Sequence, residues 1–228
     1  MVKVELIDYT FDGINKVARL SRATRLNKLE EYPLTIEDVK FGDGQDGHKI
    51  NENYKDWCNK NENFVKALIK VKHLGVLEHI NFTFHVSEIS RCLTHQLCRH
   101  RIGFSYLQMS SRHAKPDKDD YVTPITIDDM DKKVMYEESL DYMYITYLSL
   151  IDKGVPVEDA RYVLPPAFFT HISITCNARS LLHFLELRLD KSAQWEIREL
   201  ACKLFDEVYE LYPIIFESVK ELRIKNES

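Results

Sequence analysis

The densest group of side chains able to bind a ligand runs from Arg99 to Arg112, with the sequence RHRIGFSYLQMSSR. These fourteen residues include three arginines, one histidine, one glutamine and three serines, and no acidic residue. A guanidinium grips a phosphate through two parallel hydrogen bonds, and serine hydroxyls complete such a shell. A solvated basic turn is the ordinary alternative for a cluster of this kind. The lack of a neutralising carboxylate favours an anion site, so a phosphate-bearing small molecule is the first hypothesis.

Three more polar side chains lie on the apolar stripes of predicted helices. They are Gln96, Arg161 and Arg188. A buried arginine needs a partner, so Arg161 and Arg188 either form structural salt bridges or converge with the basic cluster on one anionic ligand. A buried amide also needs partners, which for Gln96 are either backbone groups or a ligand in the same pocket.

Other chemistries receive less support from the sequence. Two of the nine histidines, His95 and His100, would lie about 140° apart around a helix, so they cannot chelate one metal ion together. No HExxH motif or Cys/His cluster is present, and we predict no metal site. Cys98 lies beside cations that could activate a thiolate, but its place at the end of an apolar helix favours an inert core thiol. The absence of GxGxxG and P-loop motifs removes support for a Rossmann or nucleoside-triphosphate site.

Composition sets broad limits. The chain has 228 residues, of which 44% are hydrophobic, enough for one sizeable core, so we predict a single domain over 1–228. A net charge of −5 argues against a general nucleic-acid binder. Five scattered cysteines without a CxxC pair indicate reduced thiols. Acidic residues near the start and the lack of a bilayer-length apolar run predict a soluble cytoplasmic protein without a membrane partner.

Hydrophobic periodicity predicts the elements that position these residues. Alternating patterns predict strands over 2–6, 80–86 and 168–176. Helical spacing predicts helices over 14–21, 64–71, 89–97, 136–151, 157–164, 178–188 and 197–211, and a last helix after Pro213. Ser90 or Ser87 would cap the helix before the basic cluster, and Asn177 the one after the last strand. Residues 37–63 predict a long loop or insertion. The layout is α+β, with helices packed on a small, mostly antiparallel sheet.

With these residues in view, the sequence resembles the flavin-dependent thymidylate synthases. Their signature is Arg-His-Arg, a spacer of seven or eight residues, a serine and a nearby arginine. Here it stands as Arg99-His100-Arg101, eight residues, Ser110 and Arg112. The resemblance runs from about residue 73 to 196 through further blocks in the same order, namely LEH, FTFHV, GVP with AR and LP, NARSL, LR and AQWE.

The resemblance implies an α+β homotetramer with sites formed between subunits. It implies the reductive methylation of deoxyuridine monophosphate (dUMP) to thymidylate (dTMP). The implied cofactor is FAD, with NADPH and 5,10-methylenetetrahydrofolate as co-substrates. A different flavin enzyme acting on a nucleotide stays open as an alternative. So does an RNA-binding module that uses Arg99, Arg101 and Tyr106.

The resemblance also implies roles for individual residues. Two of them depart from the family pattern, because Gly75 replaces a hydroxyl residue and Gln108 an acidic one. The positions matching flavin-binding residues are Gly75, Glu78, Arg99, His100, Arg101, Ile102, Gln108, Asn177, Arg179 and His183. The positions matching nucleotide-binding residues are Gln96, Arg99, Gln108, Met109, Ser110, Ser111, Arg112, Arg161 and Arg188. Among these, Arg188 matches the arginine that activates the uracil ring.

Overall fold

A small antiparallel sheet organises the chain. The computed structural model describes residues 2–26, 29, 52–112 and 115–225. Over these residues the sheet has the strand order β1-β2-β4-β3, and every neighbouring pair is antiparallel. The strands are β1 Lys3–Tyr9, β2 Asn81–Ser90, β3 Phe104–Gln108 and β4 Phe169–Asn177. This confirms the α+β prediction and the three predicted strands, whereas β3 was not predicted.

Alternation along the central strands sends apolar side chains to one face of the sheet. Phe82 and Phe84 of β2 and Ile172 and Ile174 of β4 are fully buried on that face. Their neighbours in sequence, among them Thr83 and Ser173, are polar and lie on the opposite, more open face. Among the described residues, helices pack on the apolar face of the sheet.

Helices lie at all the predicted places. They are α1 Gly13–Leu26, α2 Glu52–Lys70, α3 Arg91–Leu97, α4 Met130–Asp152, α5 Val157–Ala160, α6 Ala178–Arg188, α7 Trp195–Tyr209 and α8 Pro213–Ile224. Of these helices, α1, α2 and α4 are longer than predicted. Two short 3-10 helices cover Leu74–His79 and Arg161–Val163. Apolar residues of α6 and α7, such as Leu181, Leu185 and Leu200, join the strands in one buried core. No helix in the described ranges has both the length and the apolar character needed to cross a membrane.

The predicted loop over 37–63 is wrong in its second part, because α2 begins at Glu52. Polar pairing explains the error. Asn61 is fully buried, and its side-chain amide donates to the side-chain oxygen of Asn15 at 2.7 Å. Between residues 54 and 63 the most deeply buried side chain is therefore a polar one, and a polar residue at an inward position weakens the hydrophobic pattern in the sequence. The first part, 37–51, lies outside the described residues.

Candidate functional site

Helix α3 delivers the basic cluster to one end of the sheet. Ser90 caps this helix, which confirms the first of the two predicted caps. The Oγ of Ser90 accepts a hydrogen bond from the backbone N–H of Leu93 at 3.1 Å. The backbone N–H and the hydroxyl of Ser90 donate to the carboxylate of buried Glu196, at 2.7 and 2.6 Å. Since α7 thus anchors the first turn of α3, the chain leaves the helix in a fixed direction at Cys98.

The buried stripe of α3 differs from the predicted one. Leu93, Thr94 and Leu97 are buried, whereas Cys92 is exposed and Gln96 is half-buried. The predicted helix over 89–97 has its apolar stripe at Ile89, Cys92, Leu93, Gln96 and Leu97, but Ile89 belongs to β2. The helix phase therefore shifts by about one residue, which places Thr94 on the inner side.

A tight turn over 99–103 connects α3 to β3. Gly103 adopts a left-handed conformation with φ of 69°. The backbone N–H of Asn177 donates to the carbonyl of Gly103 at 3.1 Å. The side-chain oxygen of Asn177 accepts from the N–H of Ser180 at 2.9 Å, which confirms the predicted cap of α6. The basic turn and the start of α6 are thereby held against each other.

This close approach leads to a testable prediction at Gly103. A methyl group there would overlap the hydroxyl of Ser180 and the side-chain amide of Asn177, at a φ that alanine disfavours. We expect Gly103→Ala to lower the free energy of unfolding by about 2 to 4 kcal/mol. Gly154→Ala is the matched control, because φ is 86° but no atom lies within 4 Å of the added carbon. It should cost about 1 kcal/mol. Urea unfolding of both variants measures the difference, and equal losses would contradict it.

A cleft of about 1050 Å³, here the α6 cleft, opens where the basic turn, the first 3-10 helix and α6 meet. Many residues matched to flavin binding line it together: Glu78, Arg99, His100, Arg101, Ile102, Asn177, Arg179 and His183. Arg188 lines it as well. Gly75 and Gln108 are outside its lining, although Gly75 lies in the same 3-10 helix as Glu78. The cleft thus joins segments that are far apart in sequence.

The α6 cleft carries an excess of positive charge. Its lining contains four arginines and two glutamates. One glutamate is neutralised, since the Nη1 of Arg179 lies 2.5 Å from the Oε1 of Glu78. Within the described part of the chain, the structure records no carboxylate partner for Arg99, Arg101 or Arg188. Unneutralised guanidinium groups around a concave surface suit an anionic ligand.

His100 and Arg188 form a pair at the inner end of this cleft. The Nε of Arg188 donates to the Nε2 of His100 at 3.1 Å. The imidazole ring packs edge-on against Phe184, with 4.8 Å between the ring centroids. Burial, together with the charges of Arg188 and His183, lowers the pKa of His100 to about 4. The imidazole is therefore neutral at neutral pH.

A second cleft of about 540 Å³, here the α5 cleft, lies beyond the other end of β3. Met109, Ser111 and Arg161 line it, and the Nη1 of Arg161 donates to the Oγ of Ser111 at 2.8 Å. Arg112 is near this group. Its Nε and Nη2 contact one carboxylate oxygen of Glu158 at 2.8 and 2.6 Å. Several residues matched to nucleotide binding are thus grouped here.

A hollow of about 390 Å³ connects the two clefts. It shares Arg99 and Arg101 with the α6 cleft, and Arg91 and His95 with the α5 cleft. Gln108 also lines it, and its amide donates to the hydroxyls of two buried threonines at 3.2 Å each. The surface between the clefts is therefore basic along its whole length.

Comparison with known proteins identifies the family of this chain. Residues 5–214 match the family model described as thymidylate synthase complementing protein. The chain belongs to that family. A protein from Saccharolobus solfataricus is 40% identical over 222 residues, which cover 95% of this chain and 76% of the relative. One from Sulfurisphaera tokodaii is 39% identical, covering 96% and 77%, and one from Clostridium tetani is 34% identical, covering 95% and 86%. All three relatives are named flavin-dependent thymidylate synthase.

In this member of the family, Arg161 and Arg188 do not line a common cleft. They lie beyond opposite ends of β3, whose five residues span about 16 Å. Among the described residues, neither arginine forms the structural salt bridge that the alternative prediction required. The side chain of Arg161 bonds the hydroxyl of Ser111 and the carbonyl of Glu158, and that of Arg188 bonds an imidazole. Gln96 lines neither cleft nor the hollow between them.

Sequence reasoning missed several residues of this family member's site. On α6 the missed residue is Leu187, for which a signal was available, because it continues the i, i+4 spacing of the predicted Arg179 and His183 and lines the cleft with them. Arg91 and His95 gave no such signal. Burial and the nearby charge of Arg161 lower the pKa of Arg91, whose guanidinium donates to the carbonyl of Met109 at 3.4 Å.

The competing chemistries find little support in this member of the family. Burial raises the pKa of the Cys98 thiol, which makes a thiolate nucleophile unfavourable at neutral pH. In the ranges that the structure describes, no group of three His, Cys, Asp or Glu side chains is arranged to hold a metal ion. The site is instead built from cations around concave surfaces.

Proposed function

We propose that the chain is a flavin-dependent thymidylate synthase. It methylates dUMP to dTMP, taking the one-carbon unit from 5,10-methylenetetrahydrofolate and the reducing equivalents from NADPH through FAD. One observation carries this proposal. Three segments far apart in sequence converge on the α6 cleft: the first 3-10 helix with Glu78, the basic turn with Arg99 and Arg101, and α6 with Arg179 and Arg188. The names of the curated relatives support the same reaction.

The chemistry of the α6 cleft fits FAD. Arg99, Arg101 and Arg179 offer guanidinium groups suited to a pyrophosphate. Leu74 and Leu187 supply apolar surface for a ring system. The volume, about 1050 Å³, is at the upper end of the range for small-molecule sites and so suits a large dinucleotide. When bound, the flavin supplies the hydride chemistry, and the protein contributes binding, orientation and electrostatics.

Arg188 is the residue that activates the substrate. Uracil C5 is a weak nucleophile, and displacing the proton on N3 pushes electron density towards it. The guanidinium of Arg188 stabilises the resulting negative charge in a partly buried site. Arg161, Ser110 and Arg112 hold the phosphate and so fix the ring in a reactive position. No covalent enzyme nucleophile is required, which agrees with the raised pKa of Cys98.

The active enzyme is a homotetramer with sites between subunits. The separation of Arg161 from Arg188 along β3 supports this, because one small nucleotide must reach both groups. Large exposed apolar side chains near the clefts and on α4 also support it, among them Ile102, Leu107, Met135, Tyr142 and Ile145. A neighbouring copy would cover these residues and bring its α5 cleft to the α6 cleft.

We place this enzyme in the cytoplasm. All five cysteines are unpaired thiols, which agrees with a reducing compartment. Its partners are then small molecules and other copies of the chain, not nucleic acid or membrane.

A direct assay tests the proposed reaction. The purified protein, loaded with FAD, is mixed with NADPH, dUMP and 5,10-methylenetetrahydrofolate, and dTMP is quantified by chromatography. We expect NADPH to bleach the yellow flavin and dTMP to form only when all components are present. Bleaching without dTMP would favour another flavin enzyme acting on a nucleotide. A colourless protein that ignores FAD would favour the RNA-binding alternative.

A further inference from the structure

The hydrogen-bond partner of Arg188 is unlike that of other arginines in the molecule. Arg112, Arg179 and Arg223 each contact a carboxylate. Arg188 instead donates from its Nε to the imidazole Nε2 of His100 at 3.1 Å. Its two terminal amino groups have no recorded partner among the described residues, and they border the α6 cleft.

The direction of this hydrogen bond sets the protonation state of His100. A guanidinium has five N–H donors and no acceptor, so the Nε2 of His100 must carry a lone pair. The single ring proton then resides on Nδ1, and the ring is uncharged. The lowered pKa of about 4, caused first by burial, agrees with this state.

The ring of His100 is held in place by its surroundings. Phe184 of α6 packs against it edge-on, and Phe104 of β3 lies 6.1 Å away between centroids. The hydroxyl of Tyr106 lies 2.7 Å from the backbone carbonyl of His100 and donates to it. The acceptor is therefore fixed by protein contacts alone and does not depend on a ligand.

We propose that His100 is a positioning residue that orients Arg188 without neutralising it. The imidazole fixes the Nε edge of the guanidinium, which leaves the full positive charge and both terminal amino groups for the pyrimidine. A carboxylate at the same place would orient Arg188 equally well but would cancel the charge that stabilises the uracil anion. This role rests on the proposed function, and it is separate from a contact between His100 and the flavin.

Two variants of nearly equal shape test this role. His100→Gln offers a neutral acceptor, and His100→Glu offers a charged one. With saturating FAD and NADPH, we expect the Gln variant to keep kcat for dTMP formation within about threefold of wild type, since one neutral acceptor replaces another. The Glu variant should lose about 10- to 100-fold in kcat, because its carboxylate pairs with Arg188. Equal kcat values for the two variants would overturn the proposal.

His100→Phe adds an independent measurement, because it keeps the packing against Phe184 and removes the acceptor. We expect kcat to fall about 10-fold or more even at saturating FAD, with flavin occupancy followed separately by visible absorbance. In an Arg188→Lys background the same substitution should add almost no further loss, since lysine has no Nε edge to orient. Fully additive losses, or a defect confined to flavin affinity, would overturn the role of His100. If the His100 variants behave like wild type while the wild-type protein makes dTMP, the role of His100 is overturned and the synthase assignment stands. A wild-type protein that makes no dTMP would contradict both the synthase assignment and the role of His100.

Discussion

Arg188→Ala is expected to lower kcat for dTMP formation by about 100- to 1000-fold, while the protein stays folded and binds FAD. The side chain stabilises negative charge that develops on the pyrimidine, so its loss should appear mainly in kcat. Fold and cofactor binding should persist, because Arg188 is the last residue of α6 and only half-buried. Steady-state kinetics with varied dUMP, together with flavin absorbance and thermal unfolding, separate these quantities.

Two control variants sharpen this experiment. Arg188→Lys keeps the charge but not the planar fork, so its kcat should fall between those of wild type and Arg188→Ala. Arg198→Ala removes an arginine of α7 that bonds backbone carbonyls of Lys191 and Ala193 outside the α6 cleft. It should leave kcat near wild type. Normal turnover in Arg188→Ala would remove this residue from its role in activating the uracil ring.

Arg161→Ala is expected to raise the KM for dUMP by about 10- to 100-fold, because a charge-assisted contact to the phosphate is lost. Activity should return when this variant is assembled with Arg188→Ala in mixed oligomers. If each site takes Arg161 from one copy and Arg188 from another, random pairing restores about a quarter of the sites. Activity at low dUMP after co-expression of differently tagged subunits gives the measurement.

Variants with both substitutions provide the control for this mixing experiment. Oligomers that contain only the double variant Arg161→Ala/Arg188→Ala should stay inactive, as should each single variant alone at low dUMP. Mixed oligomers that form but show no recovery would mean that both arginines serve a site within one chain. In that case the separation of the α5 and α6 clefts along β3 would need a different explanation.

Local chemistry explains which parts of the fold were predictable. The strands β2 and β4 follow from strict alternation, and the caps at Ser90 and Asn177 follow from side chains that accept backbone N–H groups. The first half of the helix starting at Glu52 was missed because its buried position there, Asn61, is polar and pairs with Asn15 of α1. Strand β3 was missed because its exposed side carries an apolar residue. Leu107 is 76% exposed, and a leucine at that position breaks the alternation of apolar and polar residues that predicts a half-buried strand.

The candidate site was predictable only in part, because long-range packing brings its residues together. Residue types predicted an anion site at the basic turn, and the family resemblance supplied the other residues of the site. Spacing in sequence could not show that Arg188 lies beside His100, since that contact depends on the Gly103 turn and on the packing of Phe184. Nor could it show that Arg161 faces a separate cleft. Long-range packing decides both facts.

The central claim is that cations from separate segments hold dUMP beside a reduced flavin. Its most direct test starts from protein reduced by NADPH without oxygen, followed by mixing with dUMP and 5,10-methylenetetrahydrofolate while flavin absorbance is recorded. We predict that the yellow colour returns only when both compounds are present, with dTMP formed in proportion to the flavin reoxidised. A colour that returns equally without dUMP, or with no dTMP, would contradict the claim.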